Sequence, residues 1–143
     1  MKNKIKTIAI IGGGPAGCAL ATLLKRKGFK VAVFYLEKRP EIIVGESLVP
    51  AIIPMLRALG VEDEVKSYST YKPGASVWVS KDEEATSPFS YGGGNLPPYA
   101  YNVPRVKFDK TIFENALKEG VRFFNLAAKI EKTGNNDELK LSD

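Results

Sequence analysis

A chain of 143 residues, 44% hydrophobic and 26% charged, has room for about one domain and one hydrophobic core, with the balance usual for a soluble globular protein. Its net charge of +5 comes from scattered lysines, with no basic face interleaved with aromatics and no polybasic tail, so a nucleic-acid partner is not expected. One cysteine, Cys18, rules out an internal disulfide, and the absence of histidine weakens most metal sites and removes the usual general base, so no metal is expected.

The first element in the chain is an isoleucine-rich apolar run over residues 5–11, ended by Gly12, Gly13 and Gly14, which suits a strand buried on both faces. Basic residues precede it as in a secretory signal, but the run is too short for one. Nothing approaches a membrane span, so the cytoplasm is the expected location. Residues 16–27 repeat Ala16, Ala19, Leu20, Leu23 and Leu24 at helical spacing. Lys25, Arg26 and Lys27 fall where the helix dipole favours cations, and Gly28 supplies the stop. Cys18 reads as a small buried residue of this helix. A second strand over residues 31–36 completes a strand, glycine turn, helix, strand unit.

Residues 38–50 then read as a loop, and residues 51–59 as a helix with Pro54 in its first turn. Over residues 74–104, short β-type runs at 75–79 and 99–103 alternate with turns at Gly92-Gly93-Gly94 and Pro97-Pro98. Val106, Phe108, Ile112, Phe113, Ala116 and Leu117 mark another amphipathic helix, closed by Gly120. Residues 121–124 predict a third parallel strand, and residues 127–141 a hairpin turning at Gly134-Asn135-Asn136.

The chemistry starts at Gly12-x-Gly14-x-x-Gly17. The bare pattern is weak, but here it follows a predicted strand and opens a helix, as a dinucleotide-binding unit requires. Gly12 permits the tight turn, Gly14 lets a pyrophosphate approach the backbone, and Gly17 lets the helix pack on the strand. N–H groups at the helix start, near Pro15 and Ala16, face the anion. An acid about 20 residues on should accept hydrogen bonds from the adenosine ribose, and Glu37 is the candidate.

Gly45-Glu46-Ser47-Leu48-Val49-Pro50 raises a second question. Structurally, Gly45 eases a turn and Ser47 caps the following helix. Functionally, the loop touches a cofactor. With Glu37 and this loop, the sequence resembles the flavin-dependent halogenase and monooxygenase superfamily, whose second strand ends in an acid and is followed by Gly-Glu-Ser-x-x-Pro. Lys72-Pro73-Gly74-Ala75 with Trp78 is similar to the family's Lys-x-Gly segment, and Arg105-Val106-Lys107-Phe108-Asp109 to its Arg-x-x-Phe-Asp helix start. One departure is present: by the family's loop length, the acid's place falls on Tyr35 rather than Glu37.

The resemblance implies an α/β fold: a Rossmann-type FAD-binding domain with a parallel sheet (residues 1–60 and 105–143) and an inserted β-rich substrate-domain segment (residues 61–104). It implies FAD held by Gly12, Gly14, Pro15, Ala16 and Gly17, by Tyr35 or Glu37 at the ribose, and by Gly45, Glu46, Ser47 and Arg105 at the flavin. Lys72 and Glu46 would be catalytic: reduced flavin and oxygen oxidise halide, and Lys72 positions or captures the oxidant beside an electron-rich aromatic ring. The structural alternative for Lys72 is a solvated turn lysine, and for Arg105 a surface residue at a helix start. An aromatic small molecule would be the substrate and a separate flavin reductase a partner. Monooxygenation, reduction of isoprenoid-like double bonds, and a non-catalytic nucleotide-binding remnant are the alternatives. The family continues through a Gly-Asp segment and, in halogenases, Trp-x-Trp-x-Ile-Pro; neither occurs here, so the chain is expected to be the N-terminal part of a longer enzyme.

Overall fold

A computed structural model describes residues 7–37, 43–92, 94–133 and 136–142. In chain order the elements are β1 (Thr7–Ile11), α1 (Pro15–Arg26), β2 (Lys30–Tyr35), α2 (Ile53–Leu59), α3 (Glu62–Tyr68), β3 (Thr70–Lys72), β4 (Gly74–Ser80), β5 (Glu83–Pro88), β6 (Ala100–Asn102), α4 (Arg105–Lys118), β7 (Arg122–Asn125), β8 (Ala127–Thr133) and β9 (Asn136–Ser142). The chain divides into two compact units, Met1–Ile43 with Ile112–Asp143, and Val44–Thr111. The first half of α4 belongs to the second unit and its second half to the first. Among the described residues no helix is long and apolar enough to cross a membrane.

The first unit holds the predicted parallel sheet and its helix. β1, β2 and β7 form a parallel sheet in the order β1-β2-β7, with Ile10 opposite Val33 and Val33 opposite Phe123. Parallel neighbours need crossovers, and α1 makes the first. Its Cys18 and Ala21 are fully buried, so the small residues of the predicted helix face let it lie close to the sheet. Phe34 stacks on Phe124 across the sheet, ring centroids 5.2 Å apart. Arg26 and Glu119 join the helix ends by an ion pair at 2.5 Å. β8 and β9 form the predicted hairpin, Ala127 opposite Ser142, though the proposed turn at Gly134-Asn135 lies outside the described residues.

The second unit carries its own core, in which Ile53, Leu56, Leu59 and Val65 are essentially inaccessible. Its helix start differs from expectation: Pro50–Ile52 forms a 3-10 turn and the α-helix begins at Ile53. Pro54 sits in that helix's first turn, where its missing N–H costs nothing. α3 has no counterpart in the sequence reading, because only Val65 on it is buried. Two small antiparallel sheets, β3-β6 and β4-β5, make the β-rich part. They correct the structural alternative given for Lys72, a turn lysine: the residue ends β3, opposite Ala100 of β6.

Candidate functional site

The glycine turn joins β1 to α1. Gly12 adopts φ +112°, open to glycine and strained for other residues, and its N–H donates to the Phe34 carbonyl at 2.8 Å, tying the turn to the end of β2. A Cβ on Gly17 would stand 2.1 Å from the Gly12 carbonyl oxygen, so only glycine lets α1 start this close to the strand. A Cβ on Gly14 would meet nothing within 4 Å. The space beside Gly14 is therefore open, and it lies at the start of a helix whose first turn holds no acidic residue. The first intrahelical bond there runs from the Cys18 N–H to the Gly14 carbonyl, 3.0 Å, so the Ala16 and Gly17 amides have no acceptor within the helix. Pro15 at the first helical position has no amide to lose. Open space and outward amides at a positive helix end fit a pyrophosphate. Cys18, as expected, is buried, and its thiol donates to the Gly13 carbonyl at 3.3 Å.

At the end of β2, Tyr35 packs edge-on against Phe113 and Phe123, with centroids 5.5 Å and 6.0 Å away. Its Cβ lies 2.9 Å from where a Gly13 Cβ would be, beside the turn. Glu37 is exposed, and its main-chain N–H and carboxylate both meet the Asn125 amide.

In the second unit the Gly-Glu-Ser loop is laid along β6. Val103 N–H donates to the Glu46 carbonyl at 2.8 Å, Leu48 N–H donates to the Tyr101 carbonyl at 2.9 Å, and Ser47 bridges Asn102 in antiparallel fashion. Gly45 has φ +91°. The Arg105 guanidinium caps the loop by donating from Nη1 to the Val44 carbonyl, and its Nε donates to Asp109 Oδ1 at 3.0 Å, one helical turn on. A Cβ on Gly45 would stand 2.8 Å from Arg105 Nη1, so the missing side chain admits the guanidinium. Lys72 reaches the same loop: its ammonium donates to Ser47 Oγ at 2.6 Å and to the Leu48 carbonyl at 3.1 Å, with Nζ 5.2 Å from the centre of the Phe89 ring. Ser47 caps no helix, since the residue before the 3-10 turn is Val49 and it makes no side-chain cap.

Elsewhere in the second unit, Tyr99 donates to Glu62 Oε1 at 2.6 Å while Arg57 donates to Glu62 Oε2 at 2.6 Å and to the Tyr99 hydroxyl at 2.9 Å. Burial pushes the Tyr101 phenol up to about 12, and the neighbouring Tyr99 and Glu62 charges add to the rise. Desolvation alone would raise Glu62, but the hydrogen bonds from Tyr99 and Arg57 outweigh it and hold the carboxyl below its usual value.

Residues 7–98 match the family model described as tryptophan halogenase. The chain belongs to the tryptophan halogenase family. Flavin-dependent halogenase armH3 of Armillaria mellea is 35% identical over 127 residues, covering 87% of this chain and 25% of that protein. Tryptophan 2-halogenase of Chondromyces crocatus is 32% identical over 118 residues, 82% of this chain and 22% of that one. The crystal structure of a flavoprotein/dehydrogenase from Cytophaga hutchinsonii superposes with a TM-score of 0.78 at 30% identity, over 96% of this chain and 37% of that one. The myxobacterial chondrochloren halogenase CndH, described as FAD-dependent, gives a TM-score of 0.77 at 26% identity, over 94% and 35%. The chain thus spans about a quarter of the length of such curated relatives, and the expected α/β fold and family resemblance both hold.

The site residues expected from the sequence fall in two groups. Gly12, Gly14, Pro15, Ala16, Gly17, Tyr35 and Glu37 stand in the first unit, and Gly45, Glu46, Ser47, Lys72 and Arg105 in the second. Within the second group, Lys72 meets Ser47 and Arg105 meets the Val44–Gly45 peptide, whereas the exposed Glu46 is tied in through its carbonyl. Two supporting residues were not among the expected site residues, although Asp109 lies within the Arg-x-x-Phe-Asp segment. Asp109 was legible as the i+4 partner of Arg105; Asn125 left no sequence signal, because it meets Glu37 only through the β2-β7 pairing.

Proposed function

We propose that the protein carrying this chain is an FAD-dependent halogenase acting on an electron-rich aromatic small molecule, with a separate flavin reductase as partner. One observation carries the reading beyond family membership: the Lys72 ammonium is held on the Gly-Glu-Ser loop by Ser47 Oγ and the Leu48 carbonyl. When bound, FAD supplies, with a reductant and oxygen, the oxidising power that turns halide into hypohalous acid. This chain's residues hold and orient. The Ala16 and Gly17 amides and the open face of Gly14 bind the pyrophosphate, and Pro15 presets the helix start that presents them. Arg105 keeps Gly45 and Glu46 in register against β6, so that the Glu46 carboxylate and the Ser47 hydroxyl offer an acceptor and a donor at the loop.

Lys72 has three N–H donors, of which two are engaged by Ser47 and Leu48. The third is left to hydrogen-bond the hypohalous acid and polarise its oxygen–halogen bond. Halogen then replaces a ring hydrogen and water leaves. The test is mass spectrometry of products after supplying reduced FAD, oxygen, chloride or bromide, and an indole and phenol panel. Halogenated product is the expected result. Oxygenated product without halogen would assign a monooxygenase, a saturated double bond in an isoprenoid probe a reductase, and failure to bind FAD a non-catalytic remnant.

A further inference from the structure

Two residues at the end of β2, Tyr35 and Glu37, are candidates for the place expected of one acid. Tyr35 stands in the family's place for the acid, but its ring is committed to Phe113 and Phe123. Glu37 lies two residues beyond, past the last residue of the strand, where a carboxylate on its own would be free to wander. It does not, because Asn125 holds it at two points. The Glu37 N–H donates to Asn125 Oδ1 at 3.1 Å, and Asn125 Nδ2 donates to Glu37 Oε2 at 3.2 Å. The two bonds fix the amide orientation unambiguously, since an N–H requires the oxygen and a carboxylate requires the nitrogen. Asn125 is itself placed by the parallel ladder, opposite Tyr35 at the end of β7.

We propose that Asn125 is a positioning residue that holds Glu37, rather than Tyr35, as the acceptor for the ribose hydroxyls of a dinucleotide seated at the glycine turn. The inference rests on the FAD-binding part of the function proposed above. Several features converge on it. Glu37 is at the carboxyl edge of the parallel sheet, where open α/β sheets bind ligands. The glycine turn is tied to the same strand end through the Gly12–Phe34 hydrogen bond. Asn125 engages only Oε2 of the carboxylate, which leaves Oε1 and further lone pairs to accept from a pair of vicinal hydroxyls. A tyrosine hydroxyl in the same place has a single neutral oxygen with which to accept and is a poor match for two donors side by side. The two-residue displacement of the acid is thus compensated by an amide from the neighbouring strand.

The experiment measures the Kd of FAD by flavin fluorescence, then the affinities of ADP and 2′,3′-dideoxy-ADP as competitors. Wild-type protein should prefer ADP by about tenfold, the size of one good hydrogen-bonding contact to a charged group. Glu37→Ala should abolish the preference, Asn125→Ala should cut it to below about threefold, and adding Asn125→Ala to Glu37→Ala should change nothing more. Asn125→Asp should also cut it, by setting a like charge against the carboxylate. A merely structural role for Asn125 would weaken ADP and its dideoxy analogue equally and keep the ratio, and that result would overturn the inference. So would loss of the preference in Tyr35→Phe with Glu37→Ala unaffected. Because Glu37 is exposed, Glu37→Gln keeps the comparison available even where an Asn125 variant folds poorly. Wild-type protein that binds no FAD would fail the functional proposal first, and this inference with it.

Discussion

Gly14 and Gly17, three residues apart, should respond to the same methyl group in opposite ways. In Gly17→Ala the new Cβ would lie 2.1 Å from the Gly12 carbonyl oxygen, against 3.4 Å for ordinary contact, and 3.2 Å from the Gly12 carbonyl carbon. Both partners are backbone, so relief requires the start of α1 to recede by about 1 Å. Overpacking of this kind costs about 1–3 kcal/mol, and the gain of roughly 1 kcal/mol in helix propensity from glycine to alanine does not offset the upper part of that range. A 1 Å recession would also stretch amide–phosphate hydrogen bonds of about 2.9 Å beyond useful range. Gly14→Ala meets nothing within 4 Å, and its backbone, φ −77° and ψ 178°, suits any residue. Folding should be unchanged or improved by about 0.4–1 kcal/mol through the unfolded chain. The methyl would nevertheless occupy the space proposed above for the pyrophosphate and should weaken FAD by tenfold or more, about 1.4 kcal/mol. Urea unfolding followed by circular dichroism, alongside FAD titration, separates the two. Gly17→Ala leaving both unchanged, or Gly14→Ala unfolding the protein while sparing affinity, would refute the reasoning.

Three further outcomes follow from the geometry. Gly45→Ala places a Cβ 2.8 Å from Arg105 Nη1 on a backbone at φ +91°, so a loss of about 1–2 kcal/mol in urea unfolding is expected, with no relief from raised temperature or salt. Tyr101 titrates near 12 when folded against about 10 unfolded, so its contribution is intact below pH 10 and is lost as pH rises towards 12. Comparing urea midpoints at pH 9 and pH 11 should show a smaller alkaline loss in Tyr101→Phe than in wild type. Glu119→Gln breaks a half-exposed ion pair with Arg26 and should cost less than about 1 kcal/mol, falling with salt.

The first strand, glycine turn, helix and second strand were legible because their signals are local: an apolar run, glycines where the backbone needs them, and helical spacing up to Gly28. α3 was missed although Glu62, Asp63 and Glu64 in its first turn and Lys66 in its last match the helix dipole, because a single buried residue, Val65, gives no apolar stripe. β5 reads Glu83-Glu84-Ala85-Thr86-Ser87-Pro88, which no alternation marks as a strand, and it exists by pairing with β4. Lys72 sits before Pro73-Gly74, a turn signal that pairing with β6 overrides at the residue before it. The Gly-Glu-Ser loop was legible as a motif, but its partners were not, since Lys72 lies 25 residues from Ser47 along the chain. Asn125, 88 residues from Glu37, is the extreme case.

The measurement that bears most directly on the assignment of Lys72 is the yield of halogenated product per flavin oxidised, compared between wild type, Lys72→Ala and Lys72→Arg. Lys72→Ala should bind FAD and consume oxygen at near wild-type rates while forming no halogenated product. Lys72→Arg should fail too, because a planar guanidinium keeps the charge but not the compact ammonium that fits Ser47 Oγ and the Leu48 carbonyl. Unchanged halogenated product from Lys72→Ala would contradict the role given to that amine.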